Sequence, residues 1–136
     1  MKKTMLVLIF AVFLGSCASK PQYPLIFTGN TNHWHIKMVV TKSEYKGQKV
    51  KVIYQYKGPV AQLKQFHNIK LSVSDIASTN QSITINNGLT KKKYKVTALR
   101  SSGGITRNSS PKASASLGGK QFSHKETTKL EIDQDN

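Results

Sequence analysis

Short apolar segments that alternate with polar residues at a period of two, separated by turn residues about every ten positions, confine this chain to a layered β fold. Trp34, Ile36, Met38 and Val40 alternate with His33, His35, Lys37 and Thr41. Val50, Val52, Tyr54 and Tyr56 share one strand face, with Lys49, Lys51, Gln55 and Lys57 largely on the other. The same phase runs through Ile69, Leu71 and Val73, through Ile83 and Ile85, and through Tyr94, Val96 and Ala98, and ends in Leu130 and Ile132. Successive strand side chains point to opposite faces, so each segment has one face to bury. Lys46-Gly47, Gly58-Pro59 and Asn86-Asn87-Gly88 punctuate the series as turns. No window holds a 3.6-residue period over three turns; Val60 and Leu63 before Phe66 permit one helical turn. A length of 136 residues fits one domain. The expectation is all-β: a single antiparallel β-sandwich of six to eight short strands, immunoglobulin-like in topology but without the Cys–Trp–Cys hallmark, with a small closed barrel as the alternative.

The N-terminus follows other rules. Lys2 and Lys3 precede ten apolar residues, Met5 to Leu14. That run is half the roughly 20 residues a membrane-spanning helix needs and fits the apolar centre of a signal peptide. Leu14-Gly15-Ser16-Cys17 follows. The stretch resembles a bacterial lipoprotein signal, in which Leu stands three residues before an obligatory Cys. The resemblance implies cleavage after residue 16, a diacylglyceryl group on the Cys17 sulfur and a chain anchored to the membrane on its extracytoplasmic side. The competing reading, a buried segment with a plain core thiol, accounts neither for the leading lysines nor for the small residues beside the single Cys.

Residues 17–31, with Pro21 and Pro24, are expected to be the lipidated Cys and a tether, although Tyr23, Leu25, Ile26 and Phe27 offer a short edge strand. The sandwich is expected over 32–136. Within it, residues 101–119 hold six Ser and four Gly, with Ile105 and Leu117 as the large apolar residues. That composition buries little, and it predicts a flexible loop. The lipobox at Cys17, the Trp34 strand, YQYKG at 54–58 and SSGG at 101–104 together resemble small secreted lipoproteins of Bacillus-like bacteria. The resemblance implies a location and a β-sandwich, and assigns no site residues.

Charge is the largest anomaly. The chain has 21 Lys and Arg against 6 Asp and Glu, a net charge of +15. Glu126, Glu131, Asp133 and Asp135 crowd the last eleven residues, so 18–125 carries 18 basic groups against Glu44 and Asp75. Such a field draws anionic partners at short range. Lys49, Lys51 and Lys57 share one strand face and Lys91, Lys93 and Lys95 another; if those strands are neighbours, they form one polyanion-binding surface. Outward lysines that keep a sandwich soluble and blunt its edges are the plainer account.

Other chemistries are weaker. Tyr54, Tyr56 and Tyr94 lie among lysines but in phase with valines, which makes them core residues and disfavours nucleic acid as a partner. His33 and His35 could chelate, with His67 as a third ligand, but no carboxylate near them in sequence orients the set, so no metal site is assigned. Six acidic residues leave little for paired-carboxylate catalysis, and there is neither a Gly-x-Ser-x-Gly elbow nor a phosphate-binding Gly loop. No catalytic residue and no cofactor are expected. The whole reads as a lipid-anchored binding module of the cell envelope, its partner an envelope protein or, alternatively, anionic wall polymer or lipid headgroups.

Overall fold

Most of the apolar stripes are buried between two sheets, Ile83 at an edge being the exposed exception among the described residues. A computed structural model describes residues 22–44, 47–76, 79–86, 89–100, 104–118 and 123–134; residues 1–16, expected to be a signal peptide, Cys17 and the start of the expected tether lie outside these. The strands are β1 (Leu25–Asn30), β2 (Trp34–Lys42), β3 (Gln48–Tyr56), β4 (Asn68–Ile76), β5 (Thr79–Asn86), β6 (Lys93–Arg100), β7 (Lys112–Gly118), β8 (Ser123–Lys129) and β9 (Glu131–Ile132). One helical turn, α1 (Val60–Leu63), follows Pro59 and buries Leu63. The first sheet, sheet A, has the order β6-β3-β2-β1-β9, and the second, sheet B, β5-β4-β7-β8. Every strand pair is antiparallel.

The period-two phase sets what lies between the sheets. Trp34, Ile36, Met38 and Val40 of β2 and Val50, Val52, Tyr54 and Tyr56 of β3 face Ile69, Leu71, Val73, Ala113, Ala115 and Leu117 of sheet B in one core. Tyr54 crosses it, its hydroxyl donating to the Ser72 carbonyl at 2.8 Å. Burial pushes the Tyr54 phenol well above its ordinary pKa. Between β8 and β9 only Leu130 intervenes, so the chain passes from sheet B to sheet A at that residue. Gly29 of β1 makes room for it: a Cβ there would stand 2.7 Å from Leu130 Cδ2 and 2.9 Å from Thr128 Cγ2.

Three sequence expectations need correction. The sandwich forms, but with nine strands, β8 and β9 having been read as one. Apart from β1 and β9 its strand order is immunoglobulin-like: β2 and β3 pair in one sheet, the chain crosses to β4 in the other, β6 returns beside β3, and β7 and β8 extend the sheet of β4. Residues 25–30 are no tether: β1 lies between β2 and β9 and buries Leu25 and Phe27. Nor does the loop expected over 101–119 extend through 112–118, since β7 pairs along its length with β4 and β8, whereas 104–111 is irregular. Ala113 and Ala115 bury themselves opposite a sheet whose inward residues are large, Trp34 and three tyrosines among them. Small residues fill a core well when the facing layer is bulky. Residues 101–103 and 119 lie outside the described residues.

Gln48, next to the Lys46-Gly47 turn signal, opens β3 and is 2% exposed. Its amide docks on Ile105: Nε2 donates to the Ile105 carbonyl at 2.8 Å, and the Ile105 N–H donates to Oε1 at 3.0 Å. Nε2 also donates to the Tyr23 hydroxyl at 2.9 Å.

Candidate functional site

The outer face of sheet A collects the lysines. β3 and β6 are hydrogen-bonded neighbours, with Ile53 opposite Lys95, Gln55 opposite Lys93 and Lys51 opposite Thr97. Lys51, two positions from Ile53, is therefore a diagonal neighbour of Lys95, at roughly 7–8 Å between backbones. On the other side of β3, Lys37 of β2 pairs with Ile53 and Thr41 with Lys49. One row across the sheet reads Glu131, Thr28, Lys37, Ile53, Lys95. Lys49, Lys51, Lys91, Lys93 and Lys95 are exposed and Lys37 half-buried, with Val39 and Ile53 half-buried among them.

Lys57, just past β3, is exposed but tied down: its Nζ donates to the Thr31 carbonyl at 2.6 Å, while its backbone N–H donates to the His33 carbonyl. Lys91 precedes β6 next to Lys92, whose carbonyl accepts the Tyr56 N–H at 2.8 Å. Of the six lysines expected to act together, Lys49, Lys51, Lys93 and Lys95 share the outer face of one sheet, and Lys57 and Lys91 stand beyond the ends of its strands. Lys37 joins them; the sequence reading placed it in an alternating strand without linking it to the others.

The charges are segregated. Among the described residues, none of these lysines is in an ion pair with a carboxylate. Glu131, which shares the face through its pairing with Thr28, sits on β9, two strands from Lys37 and four from Lys95. At about 4.8 Å per strand, that places it roughly 19 Å from the Lys95 backbone, beyond a Debye length at physiological salt. Uncompensated like charges on neighbouring strands repel. A multivalent anion laid across β2, β3 and β6 removes that repulsion and releases its own counterions.

The other candidates resolve differently. Tyr54, Tyr56 and Tyr94 are core residues, packed edge-on around Trp34. His33 and His35 each have a separate partner: His33 Nδ1 lies 3.1 Å from Glu126 Oε1, and His35 Nδ1 lies 2.9 Å from Asn30 Oδ1. Glu126 is the carboxylate not visible near His33 in sequence, since it stands 93 residues away. The phenol of Tyr56, beneath the His33 ring, is pushed up by burial and then by the Glu126 charge. Among the described residues, no three of His, Cys, Asp and Glu gather closely enough to hold a metal ion. Comparison of the chain with protein-family models, curated proteins and solved structures finds no match.

Proposed function

We propose that the protein is an extracytoplasmic binding module, held at the membrane by a lipid on Cys17, whose lysine face binds an anionic envelope polymer or headgroup layer. One observation carries the choice of ligand: the β2–β3–β6 register gathers Lys37, Lys49, Lys51, Lys93 and Lys95 on one face, with Glu131 at the far edge of that face. Solubility needs charge but not segregation, and interspersed signs serve it as well. Val39 and Ile53 are half-buried among these lysines, and lysine stems can cover apolar surface while keeping their ammonium groups in water.

The full chain should be retained on immobilised poly(glycerol phosphate) at low salt and released steeply as salt rises. Replacing Lys51, Lys93 and Lys95 by Glu should weaken retention by about tenfold or more. Each exposed substitution should change stability by about 0.5 kcal/mol or less. Retention equal to that of the parent chain, or insensitive to salt, rules out this face. Anchoring is read separately. Cys17→Ala should shift the protein from the membrane fraction to precursor or released material; unchanged fractionation, with no acyl label on the parent chain, removes the anchor.

A further inference from the structure

The outer face of sheet B carries a second and different feature. A hollow of about 270 Å³ opens there, over β4 and β7. Its floor is one hydroxyl row running across all four strands: Ser82 of β5 pairs with Ser72 of β4, Ser72 with Ser114 of β7, and Ser114 with Thr127 of β8. Long side chains border these short ones. Lys70 and Lys125 lie on one side of the row, both in register with Ser116, and Lys112 lies on the other, opposite Ser74. All three line the hollow, and among the described residues no carboxylate does.

The floor is rigid. Ser114 is 8% exposed although it belongs to an outer face, and its hydroxyl is hydrogen-bonded to that of Ser72. The Ser72 carbonyl is held from the core side by Tyr54. Two hydroxyls joined by one hydrogen bond use one of their two protons, and the other can serve an acceptor in the hollow. Hydroxyl donors at the base and ammonium groups on both sides match an anion with several oxygens spread in three dimensions. A phosphoryl group has that shape, and the volume leaves space for a short polyol beside it. Ser82 and Thr127, at the ends of the row, are placed to meet its hydroxyls.

The geometry points to a discrete site on sheet B for a phosphoryl group carried on a short hydroxylated chain, recognised by the Ser72–Ser114 pair and by Lys70, Lys112 and Lys125. It shares no residue with the lysine face of sheet A and does not depend on that reading.

The test is a titration of the full chain, followed by backbone amide shifts and calorimetry. The probes are glycerol 3-phosphate, inorganic phosphate and a short-chain phosphatidylglycerol below its micelle concentration. Glycerol 3-phosphate should shift the Ser72 and Ser114 amides saturably. The double variant Ser72→Ala/Ser114→Ala keeps the parent's charge and should bind about tenfold or more weakly, as expected when hydrogen bonds to a charged group are lost. Its folding should be nearly unaffected, because both partners of one hydrogen bond are removed together. If it fails to fold, Lys125→Gln, at an exposed edge position, should still weaken binding severalfold with the hydroxyl row intact. The Lys51→Glu/Lys93→Glu/Lys95→Glu variant should retain the site. Stronger binding of glycerol 3-phosphate supports a soluble or polymeric phosphate ester, and stronger binding of the short-chain lipid supports a headgroup. No saturable shift in the parent chain, equal binding by the double-serine variant, or an equal loss in the sheet A variant overturns the site.

Discussion

Replacing Trp34 by Ala should lower the unfolding free energy by about 3–5 kcal/mol, the range for truncating a buried aromatic side chain. Trp34 is fully buried, and its ring meets three tyrosines edge-on: Tyr56 at 5.1 Å between centroids, Tyr94 at 6.4 Å and Tyr54 at 6.5 Å. Each contact adds attraction beyond the apolar area it covers. The cavity left behind is bounded by strands of both sheets, which limits how far it can collapse. Domains of this size have about 5–15 kcal/mol in total, so the variant should be close to unfolding at physiological temperature. Urea denaturation followed by circular dichroism reads the change, because the substitution removes the single Trp of the chain. A loss below about 1 kcal/mol would contradict its place in the core.

Gln48→Leu should cost about 2–6 kcal/mol, for a different reason. The apolar replacement is similar in size and fills the same space. What it loses, besides the bond to the Tyr23 hydroxyl, is the pair of bonds to the Ile105 N–H and carbonyl, at 3.0 and 2.8 Å. Ile105 is 1% exposed, so both of its backbone groups would be left buried without a partner, at about 1–3 kcal/mol each. Amide hydrogen exchange separates this from a general loss of packing: Ile105 should lose protection far more than Val52 in the middle of β3. Equal loss of protection at the two amides, or a total cost below about 1 kcal/mol, would show that the amide pairing contributes little. Ile105→Val, which keeps the backbone bonds, should cost only about 0.5–1.5 kcal/mol.

The sequence by itself determined which residues face inward. Strand side chains alternate whatever the neighbouring strand is, so the phase of Trp34, Ile36, Val50, Val52, Tyr54, Ile69, Leu71 and Tyr94 was enough to place them in the core. It likewise put Lys49 with Lys51, and Lys93 with Lys95, on the opposite side. Partners were another matter. Pairing joins residues distant along the chain, and nothing in the local pattern of β3 or β6 names the other as its neighbour. Only the tertiary structure brought Lys51 beside Lys95, Glu126 to His33 and Gln48 to Ile105. Composition misled at 112–118 because it counts large apolar residues, whereas burial depends on the size of what lies opposite. Ala113 and Ala115 are sealed by a sheet with Trp34 on its inner face. In the same strand, the outward Ser114 became the floor of a hollow because Lys70, Lys112 and Lys125 rise around it on positions that pairing alone selects. Local alternation settles the face a residue takes, since it depends on backbone geometry alone; the neighbours on that face depend on which strands close the sheet.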